Sequence, residues 1–594
     1  MPHSSNPNTP AAPSWLNRDF AYDADRNVWP LKANAGGFGY SDGDKSENYL
    51  LSIMGSAQDC SVMSEDLQHA MRDWPSTYHL HHQRCNLFRP IAGMLKGPIL
   101  EIGAGCGVLT RFLGEAGETV FALEGSARRA AIIGARCRDL PNVSVLNANF
   151  QDLKTEQKFQ TITLIGVLEY ARVYFADGSD TDPVDQMLRH VAGMLAPDGV
   201  LIVAIENQMG LKYFAGFPED HLGIPMAGIE GQYTDTSVVT FGRQELAARL
   251  SMAGLAEQRF AYPVPDYKFP EAVLFEPAMT GPHAPKFAAL VAGAMASDRQ
   301  RPDRVTFRLS QAARAVMQNR MGADMANSFL VMASPSPAAF DQPAPNHAVY
   351  YGNGDRKKPY LKEVRIFEKD GTLRVSRHKL TDAAPAPDAP MHHVLEPEPF
   401  VDGRHWSSEL QAIMARKDWT LADICDWATI WVDALKNAAK IPEGQAPDTD
   451  TDIPGHLLDA IPKNLIVDAQ GAGQFFDLEW QAKDTIALGF IIARGLFDSL
   501  SAIEHAAPSA APIDIIQLSV EISGRLNLAM TADQIRAHFE REQGFQAYVT
   551  TRPASQIKNR LIKQQMSHRA VNKIEKHHKK LRRVFHRIRH PFRG

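Results

Sequence analysis

The apolar residues of the first third of the chain fall in short continuous runs, at 99–102, 119–123, 143–146, 161–167 and 200–205. Runs of that length bounded by turn residues predict strands buried on both faces. Helical stretches separate them, the first opening at Val108, and this alternation predicts an α/β doubly wound sheet. Farther on, 241–253 reads as a helix stopped by Gly254, 257–262 as a strand and 263–270 as a rigid loop. A helical insertion at 282–325 and a closing strand at 328–333 complete the first half.

The pattern changes after a proline-rich stretch, 334–345, which reads as a linker between two domains. Strand signals at 349–351, 360–367 and 372–379 follow, joined by glycine turns, and 419–440 is an amphipathic helix. At the end, Leu581, Val584, Phe585 and Ile588 recur at helical spacing, with Val571 and Ile574 extending the stripe and Pro591 ending it. Lys579, Lys580, Arg582, Arg583, Arg587 and Arg589 surround that stripe.

Charge sharpens this division. The whole chain of 594 residues carries −5, but 551–594 hold 14 Lys or Arg against one acid, Glu575, so the remainder carries −18. A basic amphipathic helix on an acidic body suits an anionic membrane surface or an acidic protein partner. The acidic body argues against a nucleic-acid substrate. The five cysteines show no C-x-x-C pairing, which argues against a zinc site or a disulfide framework. The N-terminus lacks the basic and apolar regions of a signal peptide, and no run of about 18 apolar residues occurs. These features predict a cytoplasmic location, peripheral on the inner face of the cytoplasmic membrane if the tail binds lipid.

The candidate chemistry begins where the first strand ends. Ile99 to Thr110 reads ILEIGAGCGVLT: a strand containing Glu101, then Gly103, Gly105 and Gly107, then a helix start. Glycines let backbone approach a ligand, and a helix N-terminus offers free N–H groups. Glu124, about 20 residues on, ends the second strand, where a carboxylate accepts hydrogen bonds from a ribose diol. Asn149 and Phe150 follow the third strand, and Glu169 the fourth. The Glu-x-Gly-x-Gly-x-Gly run resembles motif I of class I S-adenosylmethionine-dependent methyltransferases. That resemblance implies a Rossmann-like fold with S-adenosylmethionine as cofactor. It places Asn149 at the adenine amino group and Glu101, Gly103, Gly105, Gly107, Glu124, Phe150 and Glu169 around the cofactor. Tyr78 and Arg84, in a helical cap before motif I, are expected at the methionine end or the substrate, Arg84 pairing the carboxylate.

A polar block leaves the fifth strand and is expected to line the acceptor pocket: Glu206-Asn207, Lys212-Tyr213-Phe214 and Glu219-Asp220-His221. Methyl transfer to a hydroxyl needs a base, and His221 flanked by Asp220 is the candidate. A phosphate acceptor would need none. Asp266, Tyr267 and Lys268 of the rigid loop are expected to face the same acceptor.

In the second half, Asp459 and Asn464 are five apart, and Asn464 and Asp477 thirteen apart across a turn. This resembles the catalytic loop and metal-binding aspartate of kinases, with Asp-Leu-Glu in place of Asp-Phe-Gly as in aminoglycoside-phosphotransferase-like members. The resemblance implies that Asp459 accepts a hydroxyl proton while Asn464 and Asp477 hold Mg²⁺ against ATP. The phosphate-pairing lysine is not obvious: Arg377 stands near its expected place, with Lys379 two residues on.

The predicted organisation is a disordered 1–35, a methyltransferase domain with a helical cap over 36–335, a linker over 336–346, a kinase-like α+β domain over 347–550 and a basic helical tail over 551–594. This order resembles the bifunctional methyltransferase–kinase proteins that terminate O-antigen polysaccharide chains. It implies a glycan or lipid-linked glycan acceptor, with the tail meeting a membrane or a glycosyltransferase. The alternatives are a non-catalytic scaffold in polysaccharide assembly, or a methyltransferase regulated by a pseudokinase.

Overall fold

The computed structural model describes residues 14–32, 42–176, 178–302, 304–341, 346–352, 354–442, 444–503, 505–507, 509, 514–551 and 563–564. It divides into two compact units, 1–383 and 384–594.

The first unit is built on one large sheet. Its parallel part comprises β2 (Ile99–Ile102), β3 (Val120–Glu124), β4 (Val143–Asn147), β5 (Phe159–Ile165) and β6 (Leu195–Glu206) in the spatial order β4-β3-β2-β5-β6. All four residues of β2 and all five of β3 are buried, as continuous apolar runs require. The antiparallel β9 (Ser328–Ser334) pairs with β6 and with β7 (Glu257–Val264), and β8 (Ala272–Phe275) pairs with β7. This is the expected Rossmann-like doubly wound arrangement. The strand order reverses beside β2, which opens a crevice at the carboxyl ends of β2 and β5.

Two expected boundaries move. The stretch read as disordered contains a helix, Ser14–Asp19, and β1 (Trp29–Pro30), which runs parallel to β4 with Trp29 beside Leu146. Leu16, Phe20, Val28 and Trp29 are buried, so their apolar surface repays the ordering of a polar segment. Gly134 makes room for it: a Cβ there would lie 2.1 Å from the Arg26 carbonyl oxygen.

The second shift concerns the division of the chain. The proline-rich 336–346 lies inside the first unit. β10 (Ala348–Tyr350) pairs antiparallel with β8, Val349 opposite Val273, and the hairpin of β11 (Lys362–Lys369) and β12 (Thr372–Lys379) continues from it. Ala348 and Val349 are fully buried, and the open edge of β8 supplies their partner. The hairpin expected to start the kinase-like domain therefore completes the sheet of the first unit, and Arg377 sits on it.

The second unit is helix-rich. Its helices include Leu421–Ala438, Leu488–Ser501, Ile515–Arg525 and Ala532–Val549, beside short two- and three-stranded sheets. Its core holds Trp427 and Trp431, whose indole N–H groups donate to the Trp406 and Ala460 carbonyls at 2.9 Å each. The expected tail helix, 571–590, lies outside the described residues. No described helix is long and apolar enough to cross a membrane. All five cysteines are buried free thiols.

Candidate active site

The crevice beside β2 holds a cavity of about 500 Å³. Its floor is the glycine loop. Gly103, Gly105 and Gly107 take φ values of +70°, +60° and +78°, which favour glycine. A Cβ on Gly103 would meet Val167 Cγ2 at 2.6 Å, whereas Gly105 faces open space. Gly107 lies behind the wall as the N-cap of the helix Val108–Glu115.

Glu124 closes this loop from β3. One carboxylate oxygen accepts the Gly105 N–H at 2.8 Å and the other the Ser126 N–H at 2.9 Å. Glu101, buried beneath, accepts the Thr110 hydroxyl at 2.5 Å, and burial pushes its carboxyl up to about 7. Burial also raises Glu124, against those backbone donors.

Cavity-lining residues come from three more places. The helix Trp74–Leu80 and the turn after it bring Tyr78 and Arg84, with the guanidinium 3.6 Å from the ring centre. Nε and Nη1 of buried Arg84 have no hydrogen-bond partner. The β4 end brings Asn149 and Phe150, the latter stacked on Phe175 at 5.6 Å. Asp42 and His79, which carried no cofactor role in the sequence, line the cavity as well; they are joined at 2.7 Å, and Arg129 holds Asp42 at 2.6 Å. No local spacing links Asp42 to a partner 37 residues away.

Of the predicted cofactor residues, Tyr78, Arg84, Glu101, Gly103, Gly105, Glu124, Asn149 and Phe150 line the cavity, and Gly107 and Glu169 do not. Glu169 sits in the turn Leu168–Tyr170, whose Tyr170 faces the cavity while Glu169 points into the interior behind it. There it meets a second cluster at the ends of β5 and β6. Neither Glu169 oxygen has a hydrogen-bond partner, and His221 Nε2 lies 3.6 Å from Oε1. Burial and then the neighbouring Glu206 hold the Glu169 carboxyl well above the usual range.

The expected pairing of Asp220 with His221 is not what the structure has. Consecutive turn residues point apart, and Asp220 turns to two lysines: Lys212 Nζ at 2.8 Å and Lys268 Nζ at 3.0 Å, with the Tyr213 hydroxyl at 2.6 Å. Burial opposes its charge, yet these lysines hold it well below the usual carboxylate range. His221 takes Glu219 instead, with Nδ1 at 3.4 Å, and its ring stands edge-on to Tyr170 at 5.2 Å. His221 is thus one aromatic ring from the cofactor cavity. Glu206, expected with the rest of the polar block to line the acceptor pocket, is the last residue of β6 and stands where the strand-end rule places ligands.

In the second unit, Asp459, Asn464 and Asp477 do come together. Asn464 Nδ2 donates to Asp459 Oδ2 at 2.8 Å and lies 3.5 Å from the Asp477 carbonyl oxygen. The other Asp459 oxygen accepts from Arg494 at 2.9 Å, and Arg494 also holds Glu542 at 2.9 Å. Asp459 is buried with both oxygens engaged, and burial raises its carboxyl.

Residues 100–201 match a family model described as a methyltransferase domain. Over those residues the chain is similar to methyltransferase domains. No curated protein matches the sequence. Among solved structures, a SAM-dependent methyltransferase of Thermotoga maritima is 16% identical, with 44% of this chain and 91% of that one covered at a TM-score of 0.25. The cyclopropane synthase MmaA2 of Mycobacterium tuberculosis is 14% identical over 49% and 95%, at 0.26. The magnesium protoporphyrin IX methyltransferase of Synechocystis, solved with bound SAH, is 14% identical over 36% and 84%, at 0.24. The methyltransferase domain has S-adenosylmethionine as its expected methyl donor, and its glycine loop, Glu124 and Arg84 fit that ligand. Arg84 lines the cavity and has two buried N–H groups without a partner, a cation that suits the methionine carboxylate.

Proposed function

We propose that the first unit transfers a methyl group from S-adenosylmethionine to an oxygen of a glycan or lipid-linked glycan. The observation that carries the reading is the buried Arg84 with unsatisfied N–H groups, which lines the same glycine-floored cavity as Glu124. Bound there, the cofactor supplies an electrophilic methyl on a sulfonium. Arg84 takes its carboxylate, Glu124 its ribose hydroxyls, and Phe150 and Asn149 its adenine. The acceptor proton leaves at the centre behind Tyr170, where His221 stands between Glu219, 3.4 Å from Nδ1, and Glu169, 3.6 Å from Nε2. The glycan acceptor rests on the domain order, as does the tail's proposed contact with an anionic membrane.

A second reading concerns the second unit. The Asp459–Arg494 pair supports a kinase-like unit that regulates rather than phosphorylates, because a buried, doubly bonded aspartate is a poor acceptor for a substrate proton. Incubating the full chain with labelled S-adenosylmethionine and lipid-linked glycan, with and without ATP and Mg²⁺, tests both. Label in the glycan without ATP is expected; label appearing only after ATP would show that a phosphate must first be placed, and no label in either arm would refute the glycan acceptor.

A further inference from the structure

We propose that Glu169, Glu206 and His221 form a binding site for a first-row divalent cation beside the acceptor end of the cofactor cavity. Ligand atoms of these three residues lie within 4.8 Å of one another, and among the described residues no other group of three or more His, Cys, Asp and Glu side chains does so. Glu169 and Glu206 are fully buried. Both Glu169 oxygens and Glu206 Oε2 lack any hydrogen-bond partner, and these carboxyl groups belong to the same 4.8 Å cluster with His221. Buried carboxylate oxygens are left unbonded in this way where a ligand supplies the missing charge.

The surrounding charges point the same way. Lys268 holds Glu206 through Oε1 and also Asp220, while Lys212 holds Asp220 with Asp266 at 3.6 Å. Two lysines are therefore shared among Glu206, Asp220 and Asp266, and the group that faces Glu169 and Glu219 is His221, with Nε2 3.6 Å from one and Nδ1 3.4 Å from the other. Lys268 engages Oε1 of Glu206, while Oε2 is buried without a partner. Glu219 holds the far side of the imidazole through Nδ1 at 3.4 Å, the carboxylate–histidine support that orients a metal-binding ring.

Two carboxylates and one imidazole suit Mn²⁺, Fe²⁺ or Zn²⁺ better than Ca²⁺. Tyr170 touches both His221 and the cavity, so a cation here stands one ring from the cofactor. Its role would be to bind the acceptor oxygen and make its O–H more acidic, so that with His221 engaged as a ligand the proton passes to water rather than to the imidazole, as the oxygen takes the methyl and the S–C bond breaks. This inference rests on the methyltransferase reading only for that role; the cation site itself stands on the three side chains.

The experiment uses the full chain stripped with a chelator and titrated calorimetrically with Mn²⁺ and with Zn²⁺. One ion per chain is expected, with binding weakened at least 10-fold in Glu169→Gln and in His221→Ala. S-adenosylhomocysteine binding, measured on the same samples, separates loss of the cation site from loss of the fold or of the methyltransferase reading. Pulsed electron paramagnetic resonance of the Mn²⁺-loaded wild type should show coupling to an imidazole nitrogen, a readout that needs no variant. No ion bound by the wild type, equal binding in Glu169→Gln and His221→Ala, or Mn²⁺ without nitrogen coupling would overturn the site and leave the centre as one that holds protons.

Discussion

The Arg84 guanidinium lies over the Tyr78 ring, 3.6 Å from its centre, with Nε and Nη1 bonded to nothing. The ring stabilises a desolvated cation without using its N–H groups, so these stay available to an anionic ligand. Arg84→Lys keeps the charge but loses the fork, and it should weaken S-adenosylhomocysteine binding about 10-fold, which is 1.4 kcal/mol by calorimetry. Arg84→Met should cost more and leave the melting temperature unchanged or higher, since a buried cation is removed.

Asp220 and His221 are neighbours in sequence with separate tasks. Asp220→Asn strips the shared anion from Lys212 and Lys268, and thermal unfolding should show a loss of roughly 3–5 kcal/mol, the range for breaking a buried ion pair. His221→Gln should unfold like wild type yet lose roughly 10²–10⁴-fold in methyl transfer. Equal unfolding of wild type and Asp220→Asn, or full turnover in His221→Gln, contradicts this division.

Glu101 makes the first unit sensitive to pH. Its carboxyl is raised from 4.5 to about 7, so the native state holds a proton that the unfolded chain releases at lower pH. The unfolded state thus binds fewer protons between these values, and stability falls as pH rises from about 4.5 to about 7, then levels off. The full span is on the order of 3 kcal/mol. Urea midpoints of the ligand-free protein at pH 5 and pH 8 should differ in that direction, and Glu101→Gln should flatten the difference.

In the second unit Arg494 joins Asp459 to Glu542. Arg494→Met leaves two buried carboxylates without their cation. Scanning calorimetry should show one transition lowered by the equivalent of roughly 3–5 kcal/mol. The double variant Arg494→Met with Asp459→Asn should recover part of that loss.

Much of this fold is legible in the chain because the parallel strands are buried on both faces and so appear as unbroken apolar runs. The cavity floor is legible for a related reason: Gly103, Gly105 and Gly107 are forced by backbone angles, and Glu124 by its place at a strand end. What escaped depends on contacts between distant residues. Val349 reads as the first strand of a new domain until Val273 is seen beside it. Asp220 beside His221 suggests a catalytic pair, because sequence adjacency does not reveal that the turn sends the two side chains to different partners. Glu169 was assigned to the cofactor because it follows β5, and the same turn that presents Tyr170 to the cavity buries it. Leu16 to Trp29 has apolar residues enough to pack, but the edge of β4 that they pack beside lies far along the chain.

The pairing of β10 with β8 decides where the chain can be cut. Truncation at 346, at the end of the proline-rich segment, would strip three strands from the sheet and leave Ala272–Phe275, an entirely buried apolar strand, as an open edge. Exposed edges of that kind recruit other chains, so such a fragment is expected to aggregate even with its cofactor cavity intact. A soluble catalytic fragment should instead extend to about 383.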